Sequence, residues 1–136
     1  MANGGWYGTQ EEWRRIEAPI KALDPELERF AATHGLSITQ NHKDWPDRSM
    51  VWDIGVRCLI QLYLANAETL SVNIWICASQ DRGRHRYWKQ EFLCKEADVG
   101  DVTSRLPELL GTAKAKLDGW AAHPEELEFG NKIAKI

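Results

Sequence analysis

The chain reads as an α+β protein: a two-layer sandwich in which an N-terminal and a C-terminal helix pack on one face of a four-stranded antiparallel meander, in the order α-β-β-β-β-α. Three observations predict this. From Leu70 the residues alternate over ten positions, with Leu70, Val72, Ile74, Ile76 and Ala78 on one side and Ser71, Asn73, Trp75, Cys77 and Ser79 on the other. That is the period of a half-buried antiparallel strand. Trp13, Ile16, Ile20, Leu23, Leu27 and Phe30 form one apolar stripe at helical spacing, and Val102, Leu106, Leu109, Leu110, Ala113, Leu117 and Trp120 form another. Helices with one stripe each, and a sheet with one apolar face, bury that surface in two layers.

The first helix is expected to begin at Thr9, because Thr9 and Glu12 have the spacing of a capping box. Pro19 predicts a kink. Asp24-Pro25 predicts a fresh cap and first helical residue for a second segment that stops at Gly35. Leu36–Asn41 alternates briefly and predicts a short first strand. Residues 42–48 read as a polar loop with His42, Asp44 and Asp47. Val51–Leu64 predicts one long strand whose even positions (Trp52, Ile54, Val56, Cys58, Ile60, Leu62, Leu64) are apolar, with Gly55 marking a bend.

Asp81-Arg82-Gly83 predicts a three-residue hairpin loop, with Gly83 supplying positive φ. That loop pairs Gln80 with Arg84, Ile76 with Trp88 and Val72 with Phe92, and so places Trp88, Phe92 and Cys94 inward. The same register sets Lys89 across from Trp75 and Tyr87 across from Cys77. The last helix is expected near Asp101, capped by Asp101, Thr103 or Ser104, with Pro107 in its first turn and Gly119, His123 and Pro124 ending it. Glu125–Phe129 reads as one further turn.

At 136 residues the chain makes one domain, 1–136, with 1–8 and 130–136 expected to be flexible. Charged residues are 27% and the formal net charge is -3, a balance unlike the basic footprint of a nucleic-acid binder. No RNP-type motif accompanies the sheet aromatics. Three cysteines (Cys58, Cys77, Cys94) without a CxxC argue against a disulfide framework and for a reducing, cytoplasmic setting. Residues 1–7 lack a basic stretch followed by an apolar run, and no apolar segment reaches the roughly 20 residues of a membrane helix.

No glycine-rich phosphate loop, HExxH, GxSxG or zinc-spaced Cys/His pair is present, so no catalytic residue, metal site or cofactor is assigned. His34 and His123 fit helix C-termini. Cys77 points away from the core near Arg57, where a cation lowers a thiol pKa. With helices on one side only, Arg57, Tyr63, Trp75, Cys77, Tyr87 and Lys89 fall on the open sheet face beside Leu59 and Glu91. Aromatics with arginine are interface composition. The expected function is therefore a non-catalytic protein-binding or homodimerising module that uses this face. The alternative is a small-molecule or anion-binding domain, conceivably an enzyme. Its site would be the 42–48 loop or the basic hairpin 82–89, with Arg82, Arg84 and Arg86 as the anion-binding cations.

Overall fold

A computed structural model of the chain describes residues 9–39 and 46–132. Two helices, α1 (Gln10–Lys21) and α2 (Asp24–His34), precede six strands and a third helix: β1 (Ile38–Thr39), β2 (Arg48–Asp53), β3 (Arg57–Asn66), β4 (Ser71–Arg82), β5 (His85–Asp98), α3 (Val99–Ala122) and β6 (Glu128–Lys132). The strands form one antiparallel sheet in chain order, and all three helices contribute to a single core on one face. The α+β class and the one-sided helix layer are as the sequence predicts. The strand count is not, because the four expected strands become five of five residues or more plus the two-residue β1.

Thr9 caps α1 as its spacing requires. Its hydroxyl accepts from Glu12 N, and Glu12 Oε1 accepts from Thr9 N at 2.8 Å. The helix continues through Pro19 to Lys21. Pro25 lies in the first turn of α2, and Gly35 closes that helix at φ 66° while Leu36 N donates back to Ala31 O, the six-to-one bond of a Schellman end. The last helix starts earlier than expected. Asp98 is its cap, accepting from Gly100 N and Asp101 N, so Pro107 sits in the helix interior rather than the first turn. The expected turn after it is a 3-10 turn over Pro124–Glu126, but residues 128–132 then form β6 against β5 instead of a flexible tail. Residues 1–8, 40–45 and 133–136, including the end of the expected first strand, the expected flexible N-terminus and the last four residues of the expected flexible tail, lie outside the described residues.

The segment Val51–Leu64 is two strands rather than one. Gly55 adopts φ 94°, a conformation that L side chains rarely tolerate, and the chain reverses over Ile54-Gly55-Val56 with Asp53 opposite Arg57. Because this loop has three residues, parity survives the reversal. Trp52 pairs with Cys58 and Met50 with Ile60, so the even positions stay inward on both strands and only Ile54 is left exposed at the tip. Gly55→Val is expected to cost about 1–3 kcal/mol in urea unfolding, the range for a strained left-handed residue. An unchanged midpoint would contradict this role.

The inward residues of β3 and β4 (Cys58, Ile60, Leu62, Val72, Ile74, Ile76) meet Ile16, Ile20, Leu23 and Leu27 of the first two helices, and Val102, Leu106, Leu110 and Leu117 of α3. One charged side chain joins them. Arg48 is 2% exposed, and its guanidinium donates to both carboxylate oxygens of Asp24, from Nε to Oδ1 at 2.7 Å and from Nη2 to Oδ2 at 3.3 Å. Its Nη1 donates to Asp47 O. This bidentate pair ties the start of α2 to the start of β2.

The β4–β5 hairpin corrects the expected register. Its turn has two residues, Gly83 and Arg84, with Arg82 opposite His85 and Gly83 at φ 64° in the position where tight hairpins favour glycine. The register is offset by three residues from the expected one, an odd number, so β5 presents the opposite face. Ser79 meets Trp88 and Trp75 meets Phe92, which turns Trp88 and Phe92 outward. An extra residue at Leu93 then restores parity, and Cys94 faces inward opposite Ile74, as expected. A second irregularity follows, where Glu96 has φ 52° and its N–H donates to Asn73 Oδ1 at 2.7 Å.

Candidate functional site

Register fixes the composition of the open face row by row. One row runs Ser49, Gln61, Trp75, Phe92 across β2 to β5, and the next runs Val51, Leu59, Cys77, Gln90. Neither row carries a formal charge. Beyond them lies a row of Asp53, Arg57, Ser79 and Trp88, and then the Asp81–Arg86 ion pair at 2.9 Å. At the opposite end Tyr63 pairs with Asn73, Asp47 lies one residue before β2, and Lys95 holds its ammonium 5.3 Å from the Phe92 ring centroid. The two uncharged rows thus lie between charged rims.

Trp75 is half-buried, and its indole Nε1 donates to Gln61 Oε1, which fixes both side chains in the middle of the face. Phe92 is 46% exposed. Around them an open depression of about 680 Å³ is lined by Asp47, Gln61, Tyr63, Trp75, Gln90, Glu91 and Phe92.

Of the six residues predicted for this face, Arg57, Tyr63, Trp75 and Cys77 are there. Tyr87 and Lys89 are not. Tyr87 pairs with Gln80 and packs against the core edge under the Arg82 guanidinium, and Lys89 pairs with Ala78 and lies over the Trp120 ring of α3. Glu91, opposite Ile76, bridges to Lys116 of the same helix. Both displacements follow from the three-residue offset in the hairpin. Trp88, Gln90, Phe92 and Gln61 are the outward residues that the expected site lacked, and the two-residue reading of Gly83-Arg84 was the signal that finds the first three.

The basic hairpin is partly committed to internal contacts. Arg82 donates to Gln80 Oε1 and Pro124 O and covers Tyr87, and Arg86 is paired with Asp81. His85 packs on Phe129. Arg84 is exposed at the turn. His42 and Asp44 of the alternative loop site lie outside the described residues. His34 and His123 do end helices, and His123 with Glu125 and Glu126 makes an exposed group of three possible ligands.

Burial decides the state of the thiols. It pushes Cys58 up to about 11, with the Asp118 and Asp53 carboxylates adding to the rise. Burial also raises Cys77, against the opposing pull of Arg86 and Arg57, and raises Cys94. The arginine effect expected on Cys77 is present but outweighed. A folded-state pKa above the unfolded value means that the unfolded chain loses its thiol protons first. Stability from these groups is therefore full below the unfolded thiol pKa of about 8.5 and declines as pH rises through the folded values. At pH 8 iodoacetamide is expected to modify the native thiols far more slowly than the same thiols in urea. Equal rates would contradict the burial argument.

Fold and face together define a two-layer α+β protein with an uncovered, aromatic sheet surface. Nothing matches this chain in comparisons with protein-family models, curated proteins and solved structures. Among the described residues, no helix is long and apolar enough to cross a membrane.

Proposed function

We propose that this chain is a non-catalytic, cytoplasmic protein-binding module whose docking surface is the helix-free face of its sheet. The observation that carries this is the pair of uncharged rows, centred on Trp75 and Phe92, enclosed by charged rims. An apolar, aromatic centre with a polar border is the anatomy of a protein interface. The protonated, buried thiols favour binding over nucleophilic chemistry. The engaged arginines at 82 and 86 make the hairpin a weaker anion site than its sequence suggests.

The test uses the tagged full-length chain and its Trp75→Glu and Phe92→Ser variants, each used to capture proteins from lysate of the source cells. Wild type is expected to retain a protein, either a different chain or another copy of itself, that both variants release. Identical captured sets would overturn the reading.

A further inference from the structure

We infer that the partner engages through a short extended segment, added as a strand along the uncovered edge of β5 with one apolar side chain on Phe92; this rests on the docking reading above. β5 has 14 residues, but β6 pairs only with His85, Tyr87 and Trp88. Beyond Trp88, β5 continues with no strand on its outer side among the described residues. Burial marks the same place. A strand covered on one face alternates, whereas Gln90, Glu91 and Phe92 are exposed one after another.

Hairpin geometry decides which backbone groups point off that edge. In a two-residue hairpin the residues flanking the loop exchange both hydrogen bonds, and the pairs alternate from there. The flanking pair is Arg82 and His85, so Tyr87, Lys89 and Glu91 turn their N–H and C=O groups to β4. Trp88, Gln90 and Phe92 turn theirs away. Trp88 meets Glu128 of β6, while Gln90 and Phe92 offer their N–H and C=O groups to an incoming chain. Main-chain pairing of this kind takes an extended segment, and the flanking side chains select its sequence. A residue set beside Phe92 faces the open side and meets a ring that is 46% exposed, at the depression around Trp75; an apolar residue fits there. The next residue faces the helix side, beside the Glu91–Lys116 ion pair, and is polar. Lys89 and Glu91, charges of the kind that guard an edge, are drawn onto Trp120 and Lys116 of α3.

The window is bounded at both ends, and that selects the occupant. Glu128 of β6 takes the outer side at Trp88, and the extra residue at Leu93 breaks the ladder. Residues 89–92 span about 13 Å, room for a segment of about four residues. A second copy's β5, with 14 residues, does not enter this window without displacing β6. A two-fold that used both Gln90 and Phe92 would also set Glu91 against Glu91 of the other copy, a like-charge pair. β6 itself ends at Lys132 beside His85, at the end of β5 away from the window. The occupant is therefore a short extended segment of a different protein.

Amide hydrogen exchange of the purified full chain reads the edge first. The Gln90 and Phe92 amides are expected to exchange at least about tenfold faster than those of Lys89 and Glu91, which donate to β4. Slow exchange at all four overturns the inference, because the edge is then already paired within this chain or by a second copy. The probe for occupancy is a phage-displayed library of random linear peptides, each about seven residues so as to hold a whole strand, selected on the wild-type chain. A selected peptide, once synthesised, is expected to slow exchange at Gln90 and Phe92. N-methylation of one alternate set of its amides should weaken binding at least about tenfold, and methylation of the other set should not. Gln90→Pro should weaken binding as much, since it removes an N–H that β4 does not use. Circular dichroism confirms that this variant is folded, and the methylated peptides carry the test on an unaltered protein if it is not. No enriched peptide, or one indifferent to methylation of either set, overturns strand addition. A peptide that Trp75→Glu releases but that leaves exchange at Gln90 and Phe92 unchanged removes the edge and leaves the docking reading standing.

Discussion

Replacing Asp24 by alanine is expected to destabilise the protein by about 3 kcal/mol, because it takes from a buried guanidinium the carboxylate to which its Nε and Nη2 both donate. The Arg48 side chain is 1% exposed and the Asp24 side chain 24% exposed, so water cannot take over the role of the lost acid at the arginine. Both partners contribute two-point geometry, Nε and Nη2 against the two oxygens of one carboxylate. Arg48→Met, which removes the charge and keeps much of the volume, should cost distinctly less than Asp24→Ala, since the desolvation penalty disappears with the charge. For a chain of this length a loss of about 3 kcal/mol corresponds to a fall of roughly 10 °C in melting temperature. Urea unfolding followed by tryptophan emission measures both variants. A loss below about 1 kcal/mol for Asp24→Ala, the size of an exposed pair, would show that the pair does not hold α2 to the sheet.

The second large effect separates two neighbours on β4. Ile76 is fully buried opposite Ile60, while Trp75 faces outward opposite Gln61 and Phe92. Ile76→Ala opens a cavity between sheet and helices and is expected to cost about 2–5 kcal/mol. The outward variant Phe92→Ser removes a ring that is nearly half exposed and should cost under about 1.5 kcal/mol by the usual area scaling. Binding should reverse the order: Phe92→Ser releases the partner, and Ile76→Ala retains it at temperatures where the variant is folded. Equal losses of stability would mean that the two faces of the sheet are buried alike, which the one-sided helix layer does not allow.

The core was legible in the sequence because period-two and helical spacing report burial directly. Leu62, Ile74 and Ile76 on the sheet, and Ile16, Leu106 and Leu117 on the helices, are where their spacing places them. The Thr9–Glu12 cap and the Gly35 stop were readable for the same local reason. What was lost depended on turns. Gly55 reversed a segment that alternation alone treats as continuous, since a three-residue loop preserves parity and leaves no break in the apolar pattern. The choice of a three- over a two-residue loop at Gly83 moved Trp88 and Phe92 to the wrong face, and with them Tyr87 and Lys89. The extra residue at Leu93 concealed the error, because it returns Cys94 to the core in either register. The Asp24–Arg48 pair spans 24 residues, and no local pattern announces it. Half of the candidate face was therefore visible from β3 and β4, and the half from β5 required the structure.

The most direct measurement is oxidative footprinting of Tyr63, Trp75, Trp88 and Phe92 in intact source cells, set against dilute purified protein. The expected result is protection of these outward residues by several-fold in cells, with Phe129, exposed on the other side of the sheet, labelled equally in both. Equal labelling of Trp75 and Phe92 in the two settings would show that the face stays bare and would contradict its role as a docking surface.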